Sequence, residues 1–261
     1  MRHRTKDSIP GGTRRALAAL LLGLGSGVTL GLYGCTGADF QGSGADTAAH
    51  DTGHGDHTAH EHGEGADTQR VMGPVEIADG AHAGDVGTVN GTVHIGDNAV
   101  VGHTQVVNGP ITIGAHATVA AVDAVNGPIR VHDGAGISGR VGTVNGPITL
   151  ADGVDVKGEV STINGPITVA AAHVGGDIHT VSGDIEVGPN GHVDGGIHVE
   201  KDNSWFHSHD VPRIVIRPGS VVKGTLRFDR PVELYVSDHA TIGPVQGASA
   251  KTFSGDSPPT S

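Results

Sequence analysis

Aromatic residues are scarce in this sequence: its 261 residues include four Phe, two Tyr and one Trp. None of these seven lies between Val71 and Glu200. A core of ordinary thickness depends on the large area that aromatic rings bury, so this stretch must build its interior from Val, Ile and Ala. Small β-branched side chains suit a narrow interior of stacked strands better than a thick two-layer core.

Cysteine and basic residues are also few. The single cysteine, Cys35, excludes a disulfide within the chain. The segment 1–34 holds five of the 16 Lys and Arg but only one of the 28 Asp and Glu, so the remainder of the chain is strongly acidic, with a net charge of -16. Such a surface repels nucleic acid and anionic lipid, and we therefore expect no nucleic-acid partner.

The start of the chain, up to Cys35, predicts export. A basic start precedes an uncharged run from Ala16 to Tyr33, which glycines and polar residues dilute; this favours a signal peptide over residues 1–34 rather than a membrane-spanning helix. The sequence Leu32-Tyr33-Gly34-Cys35 resembles the bacterial lipobox. This resemblance implies cleavage before Cys35, lipid attachment to its sulfur and, in a Gram-negative cell, the outer membrane. A membrane anchor followed by a stray or buried cysteine is the alternative.

Residues 35–70 consist mainly of Gly, Ala, Asp, Thr and His. They contain too little apolar surface to fold alone, so we predict a disordered tether. Five histidines within it alternate irregularly with Asp and Glu: His50, His54, His57, His60 and His62. Because imidazole and carboxylate together can ligate Zn, Ni or Cu, two interpretations stay open, a simple spacer and weak capture of one of these metals.

A short motif recurs along the chain: an apolar residue, then Asn or Ser, then Gly. Its middle residues are Asn90, Asn108, Asn126, Asn145, Asn164 and Ser182, at steps of 18, 18, 19, 19 and 18. A fixed short period indicates a solenoid. Equivalent residues of stacked coils lie about 4.8 Å apart, so we expect the five asparagines to form a ladder of amide hydrogen bonds at a structural corner.

Apolar residues recur about every six positions within this period, in the series Ile95, Val101, Val107, Ile113, Val119, Val125, Val131 and Ile137. Three such positions per coil predict three short strands with these side chains pointing inward. We therefore predict an all-β fold: a single-stranded parallel β-helix of about nine coils, triangular in cross-section, over residues 71–247. Asn-Gly also favours hairpin turns, so a sandwich or barrel of hairpins is the competing fold, but such a fold does not need a turn every 18 or 19 residues.

The repeat is interrupted at residues 201–210, which include two aromatic residues, His207 and His209. The two histidines could hold a metal; alternatively, the aromatic rings plug an edge of the stack and the histidines are solvated. Beyond this segment the repeat resumes over residues 211–247. We predict a disordered polar tail over residues 248–261.

Two segments carry a family likeness. The sequence from Gly175 to Ile185 resembles the core of adhesin-type β-solenoids of bacteria, and Pro218 to Leu226 is similar to the coils of bactofilins, which are polymer-forming cytoskeletal proteins. The bactofilin resemblance implies a right-handed helix that associates end to end. An export signal differs from the cytosolic setting of bactofilins, so the architecture and self-association are what the likeness implies here.

The solenoid sequence gives no catalytic pattern. Asp123, Asp133, Asp152 and Asp155 do not recur at one phase of the period, whereas pectinolytic β-helices gather carboxylates on one face. We therefore expect a non-catalytic, lipid-anchored envelope protein that serves as a structural or adhesive scaffold, in contact with copies of itself or with an envelope protein or polysaccharide. Metal capture and an enzyme acting on envelope glycans are the alternatives.

Overall fold

The computed structural model describes residues 65–201 and 211–259, and every regular element in these two ranges is a β-strand. No helix in the described ranges is long and apolar enough to cross a membrane. The strands are β1 Thr68–Met72, β2 Val75–Ile77, β3 His82–Ala83, β4 Val86–Asn90, β5 Val93–Ile95, β6 Val100–Asn108, β7 Ile111–Ile113, β8 Thr118–Asn126, β9 Ile129–Val131, β10 Gly136–Ile137, β11 Val141–Asn145, β12 Ile148–Leu150, β13 Asp155–Val156, β14 Val160–Asn164, β15 Ile167–Val169, β16 His173–Val174, β17 Ile178–Thr180, β18 Ile185–Val187, β19 His192–Val193, β20 Ile197–Val199, β21 Arg213–Ile216, β22 Val221–Val222, β23 Leu226–Phe228, β24 Glu233–Ser237, β25 Thr241–Ile242, β26 Val245–Gln246 and β27 Ala250–Phe253.

These strands form a β-solenoid of about ten coils in which every pairing is parallel. Three faces follow one another along each coil. Face A is the ten-stranded sheet β2-β5-β7-β9-β12-β15-β18-β21-β24-β27. Face B runs from β3 through the first halves of β6 and β8 to β25, and face C runs from β1 through their second halves to β26. Faces B and C count as one sheet because β6 and β8 continue around their shared corner.

The core is a set of columns of aliphatic side chains, one above another through the stack. On face A, one such column has no member more than 2% exposed: Val75, Val93, Ile111, Ile129, Ile148, Ile167, Ile185, Ile214 and Leu234. Each fully buried Val or Ile contributes about 1.5–3 kcal/mol through the apolar area it removes from water. The narrow interior therefore needs no aromatic ring along most of its length.

The six-residue series identifies the inward side chains of faces A and B correctly but is wrong on face C. There the inward residues are Val106 and Ala124, at 2% and 5% exposed, whereas Val107 and Val125 lie on the outer side and are partly exposed. The corner between faces B and C causes this shift. It places inward residues three positions apart, at Val101 and Thr104, so alternation on face C starts one residue out of phase.

The solenoid extends past both of its predicted bounds. At the start, β1 covers Thr68–Met72 and pairs with β4, so residues 65–70 belong to the first coil and not to a disordered tether. At the end, β27 pairs with β24. On the outside of face A, the side chains of Val215, Tyr235 and Phe253 pack into a small apolar cluster. Residues 248–259 are therefore not a disordered tail. Arg217 Nη1 also holds this end by donating to the backbone oxygen of Asp256 at 2.7 Å.

The interruption at residues 201–210 is an insertion into the repeat. Ile167 pairs with Ile185, which is 18 positions away, but Ile185 pairs with Ile214, which is 29 positions away. The stack nevertheless continues without a break in pairing on face A. The predicted handedness of the coil stays a prediction.

Candidate functional site

The corner between faces C and A carries the asparagine ladder. From Asn108 onward, Nδ2 of each asparagine donates to Oδ1 of its counterpart one coil earlier. All four bonds are 2.9 Å long and join Asn90, Asn108, Asn126, Asn145 and Asn164. The glycine after each asparagine packs against the glycine of the preceding coil; Gly127 has φ +151°, and a Cβ there would collide with the carbonyl of Gly109. The corner is therefore a structural device, since its donors and acceptors are used between coils.

Several carboxylates have a similar structural role. Seven aspartates each accept a hydrogen bond from a backbone N–H of the next coil: Asp67, Asp79, Asp85, Asp97, Asp152, Asp177 and Asp184. A carboxylate that accepts backbone N–H bonds satisfies donors at turns where strand pairing lapses. A quarter of the 28 acidic residues therefore serves turns of the solenoid.

An ionic network covers face B where β13, β16 and β19 pair. His173 Nδ1 lies 2.8 Å from Asp155 and its Nε2 lies 3.0 Å from Asp194, which also contacts His192 at 3.2 Å and Lys223 Nζ at 2.7 Å. The carboxylates of Asp155 and then Asp194 raise the pKa of His173. Hydrogen bonds from Lys223 and then His173 hold the pKa of Asp194 far below its usual range. Both nitrogens of His173 are thus engaged by carboxylates.

Face C carries a different cluster, formed by His179, His198 and Glu200. The register pairs His179 with His198 on β17 and β20, and Glu200 follows β20 directly. One potential ligand atom from each of the three residues lies within 4.8 Å of the other two. The two imidazole centroids are 5.5 Å apart, with ring planes inclined at 62°.

Carboxylates surround this cluster. Asp229 Oδ2 lies 3.1 Å from His198 Nε2, and Asp177 Oδ2 lies 3.8 Å from His179 Nε2. Burial raises the pKa of Asp229, but hydrogen bonds from His198 and Arg227 outweigh it, so the net shift is downward. His179 is only 7% exposed, and its Nδ1 is buried without a hydrogen-bond partner among the described residues.

The sequence-predicted metal ligands and the lipidation site lie outside the described residues: Cys35, His50, His54, His57, His60, His62, His207 and His209. Their roles stay predictions. The sequence patterns singled out neither His179 nor His198 as a metal ligand, so this cluster was not predicted. Their separation by one full coil of the repeat indicates that the two side chains stack, but it does not by itself indicate a metal site.

Comparison with protein-family models, with curated proteins and with solved structures finds no significant match to this chain. The likeness to adhesin-type solenoids and bactofilins therefore stays a prediction.

Proposed function

We propose that this chain is a non-catalytic scaffold protein of the bacterial envelope, anchored by lipid at Cys35 and joined to other copies through the ends of its solenoid. The observation that carries this proposal is the unbroken stack of face A. Ten strands follow one another in parallel pairing. Their nine strand spacings give the stack a length of about 43 Å. Each coil contacts mainly its neighbours, so the stack is a stiff rod with a strand edge at each end.

The terminal strands support association between copies. Among the described strands, β2 pairs only with β5 on face A and β27 pairs only with β24. Each therefore presents one unpaired edge, and such edges are templates for pairing with another chain. The register favours a second copy of this chain as the partner, because Glu76 and Lys251 stand in the same column at opposite ends of face A.

In a head-to-tail stack, β27 of one copy would lie beside β2 of the next, with Lys251 opposite Glu76. Both side chains are exposed. An opposite-charge pair across neighbouring strands contributes about 0.2–1 kcal/mol, and a like-charge pair is unfavourable. The charges at the two ends thus favour one direction of stacking.

Lipid attachment is tested first, with the full chain expressed in a Gram-negative bacterium fed radiolabelled palmitate. The protein should take up label and sediment with membranes, and C35A should do neither. Label in C35A, or none in the unaltered chain, contradicts the anchor.

Self-association is tested by co-purifying two differently tagged full-length copies from detergent. E76K and K251E should each reduce recovery of the second tag several-fold, and the double variant should restore it. R130E, a charge reversal at an exposed position in the middle of face A, is the control and should have no effect. Thermal melts of each variant are needed because Lys251 also contacts Glu233 at 3.2 Å. Equal recovery from E76K, K251E and R130E would rule out this end contact.

A further inference from the structure

We infer that His179, His198 and Glu200 form a binding site for a divalent transition-metal ion, zinc in the first instance, on face C of the solenoid. It uses none of the histidines that the sequence predicts as metal ligands at residues 50–62 and 207–209. It is also independent of the scaffold function, since it needs neither a lipid anchor nor a second copy.

The backbone fixes the three side chains on one side of face C. His179 and His198 are register partners in adjacent parallel strands, so their Cα atoms stand one strand spacing apart. Side chains alternate along a strand, so His198 and Glu200 project outward together while Val199, fully buried, points inward. Two adjacent strands supply the histidines, and Glu200 directly follows one of them, which limits how far the three groups must move to meet an ion.

The separations suit a metal after small side-chain rotations. Zinc binds imidazole nitrogen at about 2.0–2.1 Å and carboxylate oxygen at about 2.0–2.2 Å, which puts two ligands of one ion roughly 3–4 Å apart. The three candidate atoms already lie within 4.8 Å of one another. Two imidazoles and one carboxylate are a recurrent zinc ligand set that leaves a fourth position open.

A buried nitrogen of His179 also supports a metal ion at this site. Its Nδ1 atom is buried, has no hydrogen-bond partner among the described residues, and belongs to a side chain 7% exposed. Native proteins seldom leave a buried polar nitrogen without a partner. A metal ion bound at Nδ1 of His179 would give this nitrogen a partner.

A neighbouring carboxylate matches the surroundings of known metal-bound histidines. A histidine that binds a metal through one ring nitrogen commonly donates from the other to a carboxylate, which fixes its tautomer and orientation. Asp229 fits this arrangement, at 3.1 Å from His198 Nε2, whereas Asp177 stands 3.8 Å from His179 Nε2, beyond hydrogen-bond distance. With Nε2 of His198 held by Asp229, its Nδ1 is available to the ion.

The test uses the full chain with all seven of the other candidate metal ligands changed to alanine, because those residues could also bind metal: His50, His54, His57, His60, His62, His207 and His209. Zinc is titrated calorimetrically, and Co²⁺ is added as a spectroscopic probe whose visible absorption reports ligand geometry. One ion should bind per chain, and zinc at one hundred times Kd should raise Tm by about 5–10 °C. H198Q should lose at least 10-fold in affinity, and D229N should lose about 10–100-fold.

H94Q is the matched control, because His94 is exposed on face A and should bind zinc as the parent does. Metal-free melts of each variant separate lost binding from lost folding. H179Q extends the test to the buried partner, with loss of the Co²⁺ absorption expected. The proposal fails if the parent binds no zinc, or if H198Q and H94Q bind it equally well while both remain folded.

Discussion

The asparagine ladder gives the sharpest test of how the stack is held together. Asn126 lies at its centre and makes two ladder bonds, donating to Asn108 and accepting from Asn145, each at 2.9 Å. Asn164 lies at its end and donates one such bond, to Asn145. N126A and N164A delete the same chemical group at the same type of corner. The difference between their losses in free energy of unfolding therefore isolates the contribution of the second hydrogen bond.

The magnitude follows from the number of bonds and their exposure. A net hydrogen bond contributes about 0.5–1.5 kcal/mol, and these side chains are exposed, so neighbouring amides left without partners can bond to water. We expect N126A to lower the free energy of unfolding by about 1–2 kcal/mol and N164A by about half as much. For a domain of this size the corresponding Tm losses are about 2–8 °C and 1–4 °C.

Urea and thermal unfolding of the full chain, followed by far-UV circular dichroism, measure both variants. The conservative change N126D adds a second comparison, since a carboxylate can accept from Asn145 but cannot donate to Asn108. The free energy of unfolding that N126D loses should be closer to the loss for N164A than to the loss for N126A, apart from any effect of the new charge. Equal stability of N126A and the unaltered chain would refute the idea that the ladder stabilises the stack.

Three further predictions concern single positions. Thr104 is fully buried and its hydroxyl has no partner among the described residues, so T104V should raise Tm by about 2–4 °C per kcal/mol gained, whereas exposed T118V should change little. G127A should destabilise strongly because its Cβ would strike the backbone of the preceding coil, while G136A, with open space at its Cβ, should not. Carboxylates raise the pKa of His173, so its stabilisation is present below the unfolded pKa of about 6.5 and is lost as pH rises through the folded value. H173Q should therefore cost about 0.2–1 kcal/mol near pH 5.5 and less at pH 9, and a pH-independent difference in Tm would contradict this account.

The fold could be predicted because a solenoid places the same requirements on every coil. Stacked coils need the same residue type at each corner, so Asn-Gly returns once per coil from Asn90 to Asn164, and the parallel register follows. The phase of face C could not be predicted from an average spacing of six. There Val106 rather than Val107 points inward, because the corner between faces B and C shifts the alternation of inward and outward side chains by one residue.

The bounds of the solenoid were harder to predict because its end coils depart from the repeat. The last strand, Ala250–Phe253, has a single large apolar residue and pairs only 16 positions after its partner strand. Its stability comes from contacts outside the core, with Phe253 packed against Val215 and Tyr235. Such contacts depend on the finished stack and leave no periodic pattern.

The two pairs of stacked histidines show why spacing alone could not identify the candidate site. His173 and His192 are one coil apart, as are His179 and His198, and both pairs are register partners. Around His173, carboxylates engage both ring nitrogens, which is the arrangement of a surface ion network. His179 instead keeps one buried nitrogen without a partner among the described residues. Identical periodicity thus leads to different chemistry, and the unsatisfied nitrogen rather than the repeat distinguishes a ligand site from a structural one.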